Sequence, residues 1–244
     1  MTLHWDNMNL ILLFKSDFIA ADTVVINDRR FHHIKQFYQP VQAQQLKVGL
    51  LDGEIGQGTV TQLSDQSITL QVTLDKQPPA PLPLTLILAL PRPKMLKRTL
   101  QTVTSMGVKQ IYLINSYKVD KSYWSTPVLQ EHSVNEQLYL GLEQAGDTQL
   151  PEVHLRKRFK PFVEDELPAL IKDSRALVAH PYNAAICPPA EDINTTLAVG
   201  PEGGFIPYEV EKLQDAGFAA IHIGPRILRV ENAVPVLLSR LFPV

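Results

Sequence analysis

The chain of 244 residues contains one cysteine, Cys187. That excludes an internal disulfide and a cysteine-built metal site. Long apolar runs are also missing: the longest stretches, Leu10–Phe14 and Leu84–Leu90, fall far short of the ~20 residues a membrane-crossing helix needs. The N-terminus has no basic segment leading into an apolar one, so no secretory signal is predicted and the cytoplasm is the expected address. There is no surplus of positive charge. Lys and Arg number 23 against 25 Asp and Glu, a net charge of −2, which does not advertise a nucleic-acid binder. Internal repeats are absent. What remains, 45% hydrophobic and 20% charged, is an ordinary globular composition, long enough for one large domain or two modest ones.

Charge is nevertheless clustered. Arg29, Arg30, His32, His33 and Lys35 form one group, Arg92, Lys94, Lys97 and Arg98 a second, and Arg156 to Lys160 a third. Such patches are either solvated faces or docking points for phosphates. The pair His32-His33 has no third candidate ligand nearby, so no metal is expected.

Residues 10–74 show short strand-like runs: Leu10–Phe14, Thr23–Ile26, Leu46–Leu51, Gly58–Leu63 and Ser67–Leu74. Asp52-Gly53 is a hairpin-type turn, and Phe31–Tyr38 reads as a short helix. This pattern predicts a small β-barrel. Met1–Asn7 matches no element and reads as an optional extension before a strand opening at Met8. Gln77-Pro-Pro-Ala-Pro-Leu-Pro83 then makes a stiff linker. The boundaries are therefore 1–76, a linker at 77–83, and 84–244.

Beyond the linker, strands and helices alternate. Strands are predicted at Leu84–Leu90, Gln110–Asn115, Ala176–His180, Leu197–Gly200 and Ala220–Ile223. Helices are predicted at Lys94–Met106, Val134–Glu143, Tyr208–Ala216 and Glu231–Leu241. Alternation of this kind implies an α/β domain with a mostly parallel sheet, and ligands bound at the C-terminal strand ends.

Two glycine-proline turns lie at such ends: Gly200-Pro-Glu-Gly-Gly204 and Ile223-Gly-Pro-Arg-Ile-Leu-Arg229. The first has neither the spacing nor the Lys-Ser/Thr of a phosphate loop. Its consecutive glycines allow positive φ and close backbone approach, and Gly203 is expected to reject a β-branched residue and lose its ligand. Glu202, the ionisable group of this turn, suits a hydrogen bond to a ribose or an amine, or the capping of a helix. In the second turn Ile227 and Leu228 offer an apolar surface suited to an adenine ring. Arg226 and Arg229 either add charge beside it or pair with Glu231 and other carboxylates. His180 reads equally as a packed strand end or a pocket wall, and His222 as a sheet residue without chemistry.

These segments, with the spacing between them, resemble the SPOUT methyltransferases, specifically the family of 16S ribosomal RNA uridine-N3 methyltransferases (the small-subunit methyltransferase E family). The match runs on through Glu231-Asn-Ala233, and extends to His32-His-Ile34, Asp52-Gly53 and the stretch from Lys94 through Met106-Gly-Val108. Asn232 stands where the family usually has Thr, Glu143 to Thr148 lacks the family's arginine, and Phe37-Tyr-Gln-Pro40 replaces its Val-Leu-Arg. The resemblance implies a PUA-like RNA-binding β-barrel over 1–76, and a SPOUT domain over 84–244 whose C-terminus threads a trefoil knot. It implies S-adenosylmethionine held largely by backbone groups. The matching positions are Ala179, His180, Gly200, Pro201, Glu202 and Gly203, then Ile223, Gly224, Ile227, Leu228, Arg229 and Val230, with Asn232 and Ala233 beyond.

The implied partners are ribosomal RNA or the small ribosomal subunit and a second copy of the chain, with no membrane and no DNA. Candidate RNA contacts are Arg29, Arg30, His32, Lys35, Arg92, Lys94, Lys97 and Arg98. Alkylating uridine N3 requires loss of its proton. By residue type, Arg229 is the candidate that stabilises the resulting anion, and Glu202 or Glu231 the base. The alternatives are a paralogue methylating another RNA position and a non-catalytic RNA-binding or ribosome-assembly factor.

Overall fold

The structure, a computed structural model, describes residues 9–242. The extension read at Met1–Asn7 and the strand opening at Met8 lie outside the described residues. The chain forms two compact units, one reaching Ala80 and including Tyr139–Leu150, the other made of Pro81–Leu138 and the chain from Pro151 onward.

The first unit contains β1 (Ile11–Leu13), β2 (Phe18–Ala20), β3 (Thr23–Ile26), α1 (Arg29–Tyr38), β4 (Gln45–Leu50), β5 (Ile55–Leu63) and β6 (Ile68–Lys76). Its six-stranded sheet runs β1-β4-β5-β6-β3-β2, with β1 parallel to β4 and the other pairs antiparallel. Because β1 and β2 remain separate edges, the sheet is a half-barrel; the closed barrel expected from the strand pattern is corrected. Register shifts at Ile55/Gly56 and Val60/Gln62 mark where β5 bends. At Gly56 the backbones approach so closely that a Cβ would lie 1.8 Å from the Thr73 carbonyl oxygen. The Asp52-Gly53 turn forms as read, with Asp52 at φ +56° and Gly53 N donating to Leu50 O at 2.8 Å. Phe31 and Ile34 of α1 are buried against Val24, Ile26, Leu46 and Leu70. Leu142 and Tyr139 join Leu10, Leu12 and Ile55 in a second cluster of this unit.

Arg30 corrects an expectation. Proposed from sequence as an RNA contact, it is only 5% exposed and holds the entry to α1 together. Its guanidinium bonds both Asp17 oxygens at 2.6 and 2.8 Å, Asp28 Oδ2 at 2.7 Å and the Leu12 carbonyl at 2.6 Å. Asp28 also caps α1 by accepting from Arg30 N at 2.9 Å. Burial opposes ionisation of Asp28, but the Arg30 hydrogen bonds and charge prevail and hold its pKa below the usual carboxylate value. Arg29 pairs with Glu143 at 2.9 Å and Lys35 with Asp65 at 3.1 Å.

The second unit is built on seven parallel strands in the order β11-β13-β10-β12-β7-β8-β9. These are β7 (Leu84–Ala89), β8 (Gln110–Ile114), β9 (Glu152–Arg156), β10 (Arg175–Ala179), β11 (Ala185–Ile186), β12 (Thr195–Val199) and β13 (Ala219–His222). The helices are α2 (Pro93–Ser105), α3 (Glu131–Ala145), the short α4 (Phe159–Pro161) and α5 (Leu167–Ile171) joined by a π turn, α6 (Pro207–Asp215) and α7 (Val230–Leu241). The second half of α3 belongs to the first unit. Cys187, read as a loop residue, is buried, and burial pushes its thiol pKa up. No helix among the described residues is long and apolar enough to cross a membrane.

Replacing Arg30 with Ala is expected to cost about 3 kcal/mol, because the half-buried Asp17 is left without its partner. Urea denaturation followed by near-ultraviolet circular dichroism measures it. The depressed Asp28 pKa contributes stability that is present above the unfolded value near ~4 and lost as pH falls through the folded value. Unfolding midpoints taken from pH 6 downward should therefore drop in the acid range, and drop less in Asp28→Asn.

Candidate cofactor site at the glycine-proline turns

β12 is buried along its whole length and delivers the chain to Gly200 at the C-terminal edge of the sheet. There the chain must double back to start α6. Gly204 N donates to Pro201 O at 2.7 Å, and Gly204 adopts φ +70°. Gly200 has no room for a side chain: a Cβ would lie 2.8 Å from Phe205 N. At Gly203 a Cβ would meet only the flexible stem of Lys118, 2.7 Å from its Cδ. The tight glycine of the turn is therefore Gly200, which corrects the emphasis placed on Gly203.

β13 ends two strands away, beyond β10, and its turn begins with a short internal bond. Gly224 N donates to Nδ1 of His222 at 3.1 Å, and Gly224 sits at φ +129°, a region closed to most side chains. Arg229 then begins α7, its carbonyl accepting from Asn232 N and Ala233 N at 3.0 and 2.7 Å.

The turns after β10, β12 and β13 enclose a cavity of about 740 Å³. Ala179, His180, Gly200, Pro201, Glu202, Gly203, Ile223, Gly224, Ile227, Leu228, Val230 and Ala233 all border it. Arg229, Glu231 and Asn232 are not among its lining residues. Arg229 is exposed at the rim, between Leu228 and Val230, which do line it. Glu202 borders the cavity but is engaged, its Oε1 accepting from Arg92 N at 3.1 Å, so it serves the start of α2. Arg92, Lys94 and Arg98 are exposed and Lys97 is half-buried.

Several residues of the site were not anticipated. His222 is one, as a cavity wall with a bonded ring nitrogen. Lys118, in the loop after β8, also lines the cavity and donates from Nζ to Gly203 O at 2.6 Å. Tyr182 stands at the cavity 63% exposed, its ring edge-on to His180. Beneath the turn, Glu209 is 3% exposed, and its carboxylate accepts from Ile206 N at 3.0 Å, Tyr117 N at 2.7 Å and Ser116 Oγ at 3.1 Å. The one sequence signal for Lys118 was its place just past a predicted strand, at the edge where α/β sheets bind ligands. Burial, reinforced by the charge of Lys118, holds the His180 pKa below its ordinary value, so the ring is neutral at neutral pH.

Chemically, the cavity combines open glycine faces, an apolar wall at Ile227 and Leu228, and few charges. Nothing lies within 4 Å of the Cβ positions at Gly204 and Gly224, so a planar or polar ligand can meet bare backbone there. That donor set fits a small polar cofactor with an aromatic base.

Comparison with known proteins follows the same line. The model of the RNA methyltransferase domain family matches residues 78–242. Ribosomal RNA small subunit methyltransferase E of Treponema pallidum is 27% identical over 93% of this chain and 87% of that protein. The protein of the same name from Mesomycoplasma hyopneumoniae is 30% identical over 64% of this chain and 67% of its own. Among solved structures, ribosomal RNA small subunit methyltransferase E from Neisseria gonorrhoeae, bound to S-adenosyl methionine, superposes with a TM-score of 0.74 at 20% identity over 96% of both chains. A methyltransferase of Legionella pneumophila, in complex with the same cofactor, gives 0.73 at 20% identity, again over 96% of both.

Gly200→Ala should destabilise the protein by about 1–3 kcal/mol, the range for forced overpacking, and reshape the cavity. Gly203→Ala should leave the melting temperature within about a degree of wild type, since only the Lys118 stem must move. Differential scanning calorimetry of the two variants separates these outcomes.

Proposed function

This chain belongs to the RNA methyltransferase family, and from that premise we propose that it moves a methyl group from S-adenosylmethionine to N3 of a uridine in small-subunit ribosomal RNA. The observation that carries the reading is the cavity itself, where bare glycine backbone from two strand-end turns faces an apolar wall. Backbone amides and carbonyls of the Gly200–Gly204 and Ile223–Leu228 turns bind the cofactor's adenosine, with Ile227 and Leu228 against the base. When bound, the cofactor supplies a methyl carbon on a sulfonium, so its leaving group is a neutral thioether and no metal or covalent enzyme intermediate is needed.

What the protein must add is position and the handling of one proton. Uridine N3 is a weak acid and attacks only as its proton leaves. Of the two candidate bases, Glu202 borders the cavity and Glu231 does not, so the proton is assigned to Glu202. Arg229, exposed at the rim, supplies the positive charge facing the developing anion.

Residues 1–76 form the PUA-like RNA-binding module in this reading, and residues 84–244 a SPOUT domain with a C-terminal trefoil knot. The strand order, in which β10 lies between β12 and β13, supports such a crossing of the chain. The working form is a cytoplasmic homodimer. A second reading keeps the chemistry but changes the nucleotide. It is favoured by the first unit's charges, because Arg30 is buried while Arg29 and Lys35 are paired with carboxylates.

The test supplies methyl-labelled S-adenosylmethionine and small ribosomal subunits from a strain lacking the modification, with methylated nucleotides mapped by mass spectrometry. Label at N3 of one uridine is expected. Label at another position selects the second reading, and no incorporation overturns both. Glu202→Gln keeps an oxygen for Arg92 N and should lower kcat at least about 10²-fold while leaving cofactor affinity nearly unchanged.

A further inference from the structure

The cavity is poor in cationic side chains. Apart from the two histidines, its lining holds Lys118 and Arg226. Arg226 belongs to the Ile223–Leu228 turn, beside the apolar wall suited to the adenine. Lys118 comes from the loop after β8 and lies against the Gly200–Gly204 turn. Its stem lies on Gly203 and its Nζ reaches the Gly203 carbonyl at 2.6 Å. An ammonium carries three donors, and this carbonyl takes one. No ion pair joins Lys118 to a carboxylate among the described residues. Its charge nonetheless reaches into the cavity, where it disfavours protonation of His180.

We propose that Lys118 reads the α-carboxylate of the cofactor's amino-acid end and, through its bond to Gly203, ties that recognition to the shape of the turn. The inference rests on the cofactor reading above. An anion near Nζ finds two spare donors and a positive charge that no carboxylate pairs with among the described residues, beside the open backbone of Gly203. The backbone-lined half of the cavity would then select adenosine, and Lys118 would select the ligands that also carry an amino acid. Two demands fall on one residue, because the carbonyl that holds the ammonium in place belongs to the turn that cradles the ligand. Lys118 is thus a specificity-determining residue, and the bond to be made is a charge-assisted one.

The experiment is a calorimetric titration of wild type, Lys118→Met and Lys118→Arg with two probes. S-adenosylhomocysteine has the amino-acid carboxylate; 5′-methylthioadenosine lacks the amino-acid end altogether. In Lys118→Met the first probe should weaken at least about tenfold and the second hardly at all, with Lys118→Arg recovering most of the difference. Equal weakening of both probes makes Lys118 a support for the turn only and overturns the proposal. So does unchanged binding of both, or a carboxylate-specific loss that appears in Arg226→Met instead. If wild type binds neither probe, the cofactor reading itself fails, and this proposal with it; if wild type binds both, a failure concerns Lys118 alone.

Discussion

The site depends on one buried carboxylate. Glu209 sits in the first turn of α6 and takes hydrogen bonds from three donors in two different segments of the chain. One donor, Ile206 N, belongs to the start of its own helix, where amide groups have no intrahelical acceptor. The other two, Tyr117 N and Ser116 Oγ, belong to the loop leaving β8. A carboxylate removed from water is costly unless its lone pairs are filled, and here three of them are. The arrangement fixes the distance between the β8 loop and the α6 entrance, and hence the place of Lys118 opposite Gly203. The glycine turn is a consequence of that frame. It spans the few residues between β12 and Ile206 with no freedom except what Gly200 and Gly204 provide.

Two polar groups near the same turn differ from Glu209 in exposure, and the difference sorts their roles. Glu202 lies at the surface, engaged by one amide of α2 and bordering the cavity. Lys118 is exposed, held by one carbonyl, with donors to spare. A group that is buried and held by several hydrogen bonds serves to hold the backbone, because any change in its state disturbs the network. A group with unused bonding capacity at a cavity can meet a ligand without breaking anything. Rigidity and recognition are therefore supplied by different residues around the same turn.

Much of this was legible in the sequence because it is written in backbone-determining residues. The Asp52-Gly53 hairpin, the strand-helix alternation after Pro83 and both glycine-proline turns rest on residues whose conformational rules are local. What escaped notice is non-local or short. β9 was hidden because Glu152-Val-His-Leu-Arg156 leads into a basic run and sits at a sheet edge with mixed burial. The helical segment from Phe159 to Ile171 contains two prolines and a π turn, which blur a 3.6-residue period. A half-barrel and a closed one share the same strand pattern, because that pattern does not say whether β1 and β2 meet. Arg30 looked like a surface cation because nothing local announces that Asp17, thirteen residues earlier, will face it. Glu209 gave a faint sign, as a third-position glutamate able to reach back to its helix start, but its bonds to Ser116 and Tyr117 span more than ninety positions.

Arg30 and Glu209 make the same physical point from opposite charges. Each is a nearly inaccessible charged group held by several hydrogen bonds, and each joins separate segments of the chain. Exposed ion pairs such as Lys35–Asp65 contribute little, because water and salt screen them and both side chains lose freedom. The buried ions instead discriminate among arrangements, since a fold that misplaced either partner would strand a charge away from water. In the first unit that constraint sets how α1 meets the sheet. In the second it sets the geometry of a cavity whose walls are mostly backbone. A site made of backbone has no side chains to define its shape, so the shape must be imposed by what lies beneath, and the ion beneath this one is Glu209.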